Sequence, residues 1–324
     1  MNNSSLEQIH IALGAAQHIL ILTHDYPDGD ALGSLLAMNE LLQNNGKSTR
    51  VFLSNIRQES WSFLGFFPAL STVEELLAQD FDVVVVVDSS NEKRLGNAQP
   101  LLEKIPIVIN MDHHADNSGF GHLNYVRDAS AVGEILYEYM LETGTPFTRN
   151  IAVALLVSLI TDTGRFKHNN THRGVFGMVH ELLAYVQPED YRQIITHLYE
   201  EEPLSKMQLV SEAIRNMVLL HGMIAFSFLE QECGLEEGLI DPLLSIQGSK
   251  AAVLIRLAGQ QIRMSFRAKD TQINVRDLAA QFGGGGHPQA AGATIPLVNF
   301  GEQVKEIESK VVEYFAPLRV PGQE

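Results

Sequence analysis

Five consecutive valines, Val83 to Val87, limit the fold of this chain more than any other feature of its sequence. Valine is β-branched and favours strands, and a strand without polar residues must be covered on both of its faces. Strands of this kind are typical of parallel sheets that carry helices on either side. The valine run therefore predicts an α/β domain around a buried strand at 81–87.

Apolar segments on both sides of this strand alternate between strand-like and helix-like patterns. Unbroken apolar runs indicate strands, and apolar residues at three- to four-residue spacing indicate helices. By these criteria the further strands are 19–23, 51–53 and 105–111, and the helices are 31–42, 133–141 and 151–160. This alternation predicts a mainly parallel sheet flanked by helices.

The pattern changes after residue 190, and a length of 324 residues already favours two domains. A polar stretch bounded by Pro188 and Pro203 indicates the start of a linker. Beyond it, strand-like segments at 221–229, 251–257 and 261–266 occur with helix-like segments at 275–281 and 304–314. We therefore predict an α/β domain at 1–190, a linker at 191–218 and a smaller α+β domain at 219–324.

Composition and charge exclude two classes of protein. Hydrophobic residues make up 45% of the chain, which is too many for a disordered protein. The formal net charge of −16 repels polyanions, so a non-specific binder of duplex DNA is disfavoured. A short phosphate-bearing substrate at a local site remains compatible with this charge.

The compartment is indicated by a single cysteine and by the lack of membrane or export signals. One thiol, Cys233, cannot form an intramolecular disulfide, which favours a reducing compartment. Residues 1–10 lack the basic and then apolar pattern of a signal peptide. The longest aliphatic runs fall short of the roughly 20 residues that cross a bilayer. We expect a cytoplasmic protein without a membrane segment.

Acidic and histidine residues follow the apolar runs of the first domain. In open parallel sheets, ligands bind beyond the carboxyl ends of the strands, so residues just after strands gather at one edge. Taken singly, Asp88 could be a turn or cap residue, Asp30 could cap the helix that follows it, and His113 and His114 could be a partly buried pair. Their joint occurrence favours a binding site made of His24, Asp28, Asp30, Asp88, Asp112, His113, His114 and Asp162.

The residue types point to metal ions. Carboxylates and imidazoles without a thiolate suit Mn²⁺, Mg²⁺, Zn²⁺ or Fe²⁺, and the imidazoles favour Mn²⁺ over Mg²⁺. Four carboxylates, those of Asp28, Asp30, Asp88 and Asp162, would be neutralised by two divalent ions. Two ions about 3.5–4 Å apart are the usual arrangement for attack of a hydroxide on phosphorus. The sequence therefore predicts a two-metal phosphoesterase.

A glycine-rich segment and several basic residues mark the second domain. Gly283 to Gly286 are followed at once by His287. Such a run allows the main chain to approach phosphate or carboxylate oxygens closely, but it also suits a tight turn. Upstream, most of the basic residues fit a solvated strand face; they are Arg256, Arg263, Arg267, Lys269 and Arg276.

These motifs resemble the DHH phosphoesterase superfamily, whose characteristic triplet is present as Asp112-His113-His114. The other matching motifs are 23–34, 86–90 and 159–166 in the first domain. The run 282–292 resembles the DHH-associated C-terminal domain, so the resemblance covers nearly the whole chain. Length and motifs are most similar to the bacterial nanoRNase/pAp-phosphatase branch.

The resemblance implies a role for each of these residues. His24, Asp28 and Asp88 would hold one ion, and Asp30, Asp88, His113 and Asp162 the other, with Asp88 bridging. His114 would contact the scissile phosphate or donate a proton, and Asp112 would orient the histidines. Arg267, by its position in Ser265-Phe266-Arg267, would bind a phosphate of the substrate. Gly284, Gly285, Gly286 and His287 would complete the substrate-binding set.

The resemblance also implies the activity and the partners. The expected substrates are single-stranded RNAs of two to five nucleotides, cleaved to mononucleotides, and pAp, converted to AMP. The first domain would cut and the second would hold the nucleotide. A homodimer is compatible with the family, although the sequence contains no readable interface.

Four alternatives are compatible with parts of the sequence. Manganese-dependent pyrophosphatases share the N-terminal motifs, but their second domain lacks the Gly283 to His287 run. RecJ-like exonucleases share both domains and are usually longer. Phosphodiesterases of linear or cyclic dinucleotides also share the motifs. A non-catalytic nucleotide sensor would keep the fold but would lose metal ligands, and every expected ligand is present here.

Overall fold

The computed structural model describes residues 3–56, 58–232 and 238–318. The chain forms two compact units, Met1–Glu201 and Glu202–Glu324. Cys233, on which the expected reducing compartment rests, lies outside the described residues. No helix in the described ranges has the length and apolarity needed to cross a membrane.

The described residues of the first unit form five strands and eight α-helices, with short 3₁₀ segments at Gln58–Leu64, Glu92–Ala98 and Leu183–Tyr185. The strands are β1 (His18–Leu22), β2 (Ser48–Val51), β3 (Val83–Val87), β4 (Ile107–Asp112) and β5 (Leu123–Val126). The helices are α1 (Leu6–Ala15), α2 (Gly29–Asn44), α3 (Val73–Leu77), α4 (Leu101–Lys104), α5 (Val132–Thr143), α6 (Arg149–Asp162), α7 (Arg173–Leu182) and α8 (Pro188–Ile195).

The five strands form one parallel sheet in the order β2-β1-β3-β4-β5. In β3, Val83, Val85 and Val87 pack into one hydrophobic core, and Val84 and Val86 pack into another. The two cores lie on opposite faces because successive side chains of a strand alternate. The predicted α/β fold with a buried central strand is confirmed.

The strand order places a switch point between β1 and β3. The chain passes from β1 outward to β2 and then returns to β3 on the other side of β1. In doubly wound sheets the loops on either side of such a point diverge and leave a crevice for ligands. The loops after β1 and β3 are those that carry His24 and Asp88.

Helices α2 and α6 pack closely enough to bring residues from distant parts of the chain together. A Cβ atom on Gly33 of α2 would lie 2.5 Å from the carbonyl oxygen of Ala154 and 2.8 Å from the amide nitrogen of Ser158. Glycine at this position therefore lets the two helices approach each other backbone to backbone. This packing brings the start of α2 beside the last turns of α6.

The segment predicted as a linker, 191–218, is helical in the structure. It contains the end of α8, a π-helical turn at Thr196–Glu200 and α9 (Leu204–Arg215), and the two units divide within it. The prolines that suggested irregular chain stand at helix starts: Pro188 is the first residue of α8, and Pro203 directly precedes α9. Proline is tolerated there because the first amides of a helix have no partner within it. The domain bounds 1–190 and 219–324 stay a prediction.

The second unit is a mixed sheet with helices on both faces. Its strands are β6 (Val218–Leu220), β7 (Ile224–Glu232), β8 (Ala251–Ala258), β9 (Gln261–Ala268), β10 (Gly285–His287) and β11 (Ala290–Pro296). Besides α9, its helices are α10 (Asp241–Leu244), α11 (Val275–Ala280) and α12 (Phe300–Phe315), with a 3₁₀ turn at Ala316–Leu318. The order is β10-β11-β9-β8-β7-β6, and among these described strands only the β7–β8 pair is parallel. The predicted smaller α+β domain is confirmed.

Candidate metal centre

His24 and Asp28 lie in the loop between β1 and α2. His24 is buried, and its Nδ1 lies 2.8 Å from the carbonyl oxygen of Asp25, so Nε2 faces the carboxylate of Asp88 at 3.5 Å. Asp28 is the N-cap of α2 and accepts the amides of Asp30 and Ala31 at 3.0 Å. The cap of this helix is therefore Asp28, and the alternative that Asp30 caps it is wrong.

Asp30 is a buried carboxylate surrounded by donors. Its Oδ1 accepts hydrogen bonds from Ser34 Oγ at 2.9 Å and from Ser158 Oγ at 2.5 Å, and its Oδ2 accepts the amide of Val132 at 2.8 Å. Burial, with the nearby carboxylates of Asp88 and Asp162, raises the pKa of Asp30 well above its ordinary value. A cation beside it would favour the ionised form.

Asp88 follows β3 directly and lies at the centre of the cluster. Its φ of 55° is unusual for a residue other than glycine, and its amide donates to the carbonyl oxygen of Met111 at 3.0 Å. Imidazole nitrogens of His24 and His113 lie 3.5 Å from its carboxylate, and that of His114 lies 3.6 Å away. Burial opposes the charge, but the imidazoles of His113 and His24 outweigh it and hold the pKa of Asp88 below its usual range.

Asp112 ends β4 and fixes the ring of His114. Its carboxylate is fully buried; Oδ1 lies 2.8 Å from His114 Nδ1, and Oδ2 accepts the Asn117 side-chain amide at 2.6 Å. A carboxylate can only accept, so Nδ1 of His114 carries the proton of this bond. Asp112 therefore holds the ring of His114 in one orientation.

His113 points the other way, with Nδ1 3.1 Å from the carbonyl oxygen of Ala129 and Nε2 towards Asp88 and Asp30. Burial opposes a charge on this ring, but the carboxylates of Asp88, Asp30 and Asp162 raise the pKa of His113 to about 10. These carboxylates stabilise a positive charge at His113, and a bound divalent ion could supply the charge instead.

Asp162 reaches the cluster from a helix, not from a strand. It is the last residue of α6, and its backbone carbonyl accepts from Asn170 Nδ2 at 3.2 Å and lies 3.1 Å from His168 Nδ1. Burial raises the pKa of its carboxyl group to about 6. The packing of α6 on α2 therefore adds Asp162 to a cluster whose other residues come from the edge of the sheet.

The donor atoms group in a way that fits metal binding. Two sets of three donors lie with all members within 4.8 Å of one another, namely His24, Asp28 and Asp88, and Asp30, His113 and Asp162; Asp88, His113 and His114 form a third set. Within the described ranges, His24 Nε2 and Asp88 Oδ1 are buried without a hydrogen-bond partner. Buried polar atoms are costly unless they are satisfied, and a cation would satisfy both. The cluster can therefore hold metal.

In the second unit, the register of the sheet aligns two of the predicted substrate-binding residues. Ala290 pairs with Arg267 on one side and with His287 on the other, so these two side chains lie in one row on the same face. Arg267 is half-buried and donates to its own neighbour, the carbonyl of Phe266, at 3.0 Å. Phe266, on the opposite face of β9, is fully buried in the core of the unit.

The second half of the glycine-rich run, Gly285 and Gly286, lies in the edge strand β10, and Gly283 and Gly284 directly precede this strand. A Cβ atom on Gly284 would lie 2.1 Å from the carbonyl oxygen of Gly292, and one on Gly286 would lie 2.6 Å from that of Ala290. Both glycines therefore allow close contact between β10 and β11. Gly285 is exposed and has open space where its Cβ would be.

Several residues around the cluster escaped the sequence analysis. Ser34 and Ser158 bond to Asp30, Asn117 bonds to Asp112, and the Nη1 atom of Arg94 lies 3.4 Å from Nε2 of His114. Ser158 interrupts an otherwise apolar buried helix, and this interruption was a readable signal. No comparable signal marks Arg94, which lies in a polar segment.

The sequence also matches known protein domains. Residues 18–159 match the DHH family, N-terminal domain, and residues 236–316 match the DHHA1 domain; together they span more than half of the chain. The fold and the acid–histidine cluster define a phosphoesterase of the DHH type. The chain belongs to the DHH family and combines a DHH domain with a DHHA1 domain.

Similar proteins cover both domains. The bifunctional oligoribonuclease and PAP phosphatase NrnA of Thermus thermophilus is 28% identical over 307 residues, which are 91% of this chain and 89% of the relative. The crystal structure of an exopolyphosphatase-related protein from Bacteroides fragilis is similar with a TM-score of 0.85 and 22% identity, over 97% of this chain and 96% of the other. RecJ of Thermus thermophilus, in complex with Mn²⁺, has a TM-score of 0.51 and 14% identity over 96% of this chain and 54% of its own.

Proposed function

We propose that the protein hydrolyses RNAs of two to five nucleotides to mononucleotides and pAp to AMP. The observation that carries this proposal is the convergence of six donor side chains at one edge of the first unit; they are His24, Asp28, Asp30, Asp88, His113 and Asp162. The choice of substrates rests on the similarity to the oligoribonuclease and PAP phosphatase of Thermus thermophilus, which extends over both domains.

We propose two divalent ions as cofactors, with Mn²⁺ as the resident metal. His24 and Asp28 would hold one ion, Asp30, His113 and Asp162 the other, and Asp88 would serve both. The two separate donor sets on either side of Asp88 support this number. Imidazole beside carboxylate favours Mn²⁺ over Mg²⁺, and RecJ, which shares the fold, has been crystallised with Mn²⁺.

The chain's own residues would prepare the phosphoryl group for attack by water. Bound ions supply Lewis acidity and lower the pKa of a coordinated water. Asp112 holds the proton of His114 on Nδ1, so that Nε2 faces away from Asp112. His114 would contact the scissile phosphate or pass a proton to the leaving oxygen. Asp112 would keep that ring in one orientation.

The second unit would bind the rest of the nucleotide. Arg267 and His287, which lie in one row of the sheet, provide two groups that can bind a phosphate. Of the three glycines proposed to bind substrate, Gly284, Gly285 and Gly286, it is Gly285 that has free space where a Cβ atom would be, so a ligand could approach its backbone closely. Gly284 and Gly286 would contribute by keeping β10 against β11.

The expected surroundings of the enzyme complete the proposal. A net charge of −16 disfavours duplex DNA and leaves short single strands and free nucleotides as the partners. We propose a cytoplasmic enzyme, as expected for one that acts on RNA fragments. A homodimer is compatible with this function.

The decisive experiment compares substrates with one preparation of protein. Metal-stripped protein resupplied with Mn²⁺ is incubated with 5′-phosphorylated diadenylate, a 24-nucleotide RNA, pAp, cyclic di-AMP and pyrophosphate. We expect rapid turnover of the dinucleotide and of pAp, slow turnover of the long RNA and none of pyrophosphate. Turnover of pyrophosphate alone, or of cyclic di-AMP in preference to the linear substrates, would contradict the proposal.

A matched pair of variants tests the metal centre in the same assay. Asp88→Asn should abolish turnover of every substrate, because the carboxylate would serve both ions. Asp80→Asn removes the same charge from a fully exposed position and should leave the rates unchanged. A wild type without any turnover would support the nucleotide sensor instead.

A further inference from the structure

Arg94 is a cation beside the acid–histidine cluster whose hydrogen-bonding capacity is largely unused. It lies in the 3₁₀ segment after β3, is half-buried, and places Nη1 3.4 Å from Nε2 of His114. Because a guanidinium can only donate, this nitrogen of His114 is the acceptor, which agrees with the proton on Nδ1. No carboxylate in the described part of the chain forms an ion pair with Arg94.

Two other arginines of the first unit are paired with carboxylates. Arg127 pairs with Glu134 and Glu138, and Arg149 pairs with Asp190 through two nitrogens. A guanidinium has five N–H donors in a planar fork that matches the oxygens of a phosphate. Arg94 has one long contact to an imidazole, so most of these donors are available to a ligand.

The backbone around Arg94 holds it in place. Its carbonyl accepts the amide of Asp25, in the loop after β1, at 2.6 Å, and its amide donates to the carbonyl of Asn91 at 3.2 Å. Gly96 has a φ of 57°, and a Cβ atom there would lie 3.0 Å from the carboxylate of Asp25. The loops after β1 and β3 are therefore joined at Arg94. These bonds fix the backbone from which the Arg94 side chain extends to His114.

We propose that Arg94 binds the phosphoryl group that is cleaved, on the side of His114. This inference rests on the proposed function and adds a residue to it. Among the described residues, no carboxylate of the cluster pairs with Arg94, whereas a phosphoryl oxygen near His114 Nε2 would offer its guanidinium an acceptor. Charge on that oxygen grows during the attack, so a fixed guanidinium would bind the transition state more strongly than the substrate.

The test compares Arg94→Ala and Arg94→Lys with Lys93→Ala. Lys93 is the preceding residue, is exposed, and carries the same charge, so it is a matched control. Turnover of 5′-phosphorylated diadenylate and of bis(p-nitrophenyl) phosphate is measured with Mn²⁺, together with the affinity for AMP by equilibrium dialysis. Melting temperature and bound manganese per chain establish that each variant is folded and loaded.

For Arg94→Ala, we expect kcat/KM to fall about 100-fold or more with both esters, since removal of one such donor commonly has this effect. Arg94→Lys should recover part of the loss, because lysine keeps the charge but not the fork. Lys93→Ala should match the wild type in both assays. If AMP binds more weakly to Arg94→Ala than to the wild type, and Lys93→Ala binds it normally, a direct contact between Arg94 and phosphate is supported.

Two outcomes would overturn the inference. In the first, Arg94→Ala retains wild-type rates and AMP affinity. In the second, its loss of activity disappears in a His114→Ala background while AMP binding is unchanged, so that Arg94 acts only by positioning His114. If the wild type cleaves the aryl ester but no nucleotide, the proposed substrates fail, and a loss of aryl ester turnover in Arg94→Ala would still support the contact.

Discussion

Two residues of the acid–histidine cluster have energetically unfavourable conformations or surroundings. Asp88 adopts a left-handed conformation and is buried among three imidazoles, and Asp30 is buried next to other carboxylates. A backbone of this kind costs on the order of 1–3 kcal/mol and persists only where its surroundings enforce it. The amide of Asp88 meets β4, which is one such constraint.

Away from the cluster, a buried charged residue can stabilise the fold. Asp190 is buried at the start of α8, where it accepts from Arg149 Nε at 2.9 Å and from the amide of Gln187 at 2.9 Å. The hydrogen bonds from Arg149 lower the pKa of Asp190 from its ordinary value. The stabilisation is therefore present above the unfolded pKa of about 4 and is lost as the pH falls through the lower folded pKa.

We predict that Asp190→Asn lowers the melting temperature at pH 7 by a few degrees, as expected for the loss of about 1–2 kcal/mol of charge-assisted bonding. The difference from the wild type should shrink as the pH is lowered below about 4. Glu189→Gln, at the neighbouring exposed position, is the control and should have little effect. A difference that stays constant from pH 7 to pH 3 would mean that the charge of Asp190 is not the cause.

Helix packing decides where the carboxylates of α2 and α6 lie. Gly33 permits close contact of the two helices, and Ser158 of α6 then reaches Asp30 of α2 at 2.5 Å. Asp162 lies one turn further along α6. A change in the separation of these helices would therefore move two of the proposed ligands relative to each other.

We predict that Gly33→Ala destabilises the protein by about 1–3 kcal/mol, because the new methyl group would overlap the backbone of α6. Activity should fall with it, as Asp30 moves from Asp162. Gly14→Ala in α1 is the matched control: nothing lies within 4 Å of its Cβ, and alanine favours a helix by up to about 1 kcal/mol. The free energy of unfolding of each variant is measured by denaturant titration. If Gly33→Ala were as stable as the wild type, α2 and α6 could move apart without loss of stability.

At the scale of the whole molecule, chemistry and substrate binding are assigned to different units. All six proposed metal ligands, with His114 and Asp112, lie in the unit that ends at residue 201. Arg267 and the glycine run belong to the other unit. Variants in the second unit should therefore affect the binding of nucleotides more than the cleavage step.

Arg267→Ala should raise KM for 5′-phosphorylated diadenylate about tenfold or more and change kcat less. With bis(p-nitrophenyl) phosphate, which lacks a second nucleotide, it should behave like the wild type. Arg263→Ala is the control, because Arg263 lies four residues earlier on the same face of β9. An equal loss with both esters would assign Arg267 to the chemistry of cleavage.

Local sequence was enough to predict much of this architecture. The valine run, the apolar segments and the glycine and proline positions follow from side-chain preferences over a few residues, which is why β3, α2 and α6 were located within a few positions. Five of the six candidate ligands follow β1, β3 or β4, and their proximity could be predicted because parallel strands end at a common edge. The secondary structure of the segment 191–218 and of the glycine-rich run was predicted less accurately, because polar helices and glycine-rich strands lack a clear hydrophobic periodicity.

Contacts between distant parts of the chain decided the rest. Asp162 joins the cluster through the packing of α6 on α2, and Arg94 meets His114 because the loops after β3 and β4 lie side by side. The pairing of Arg267 and His287 with Ala290 depends on the register of three strands. Composition and spacing do not report such contacts, because they arise from residues that are neighbours only after the chain has folded.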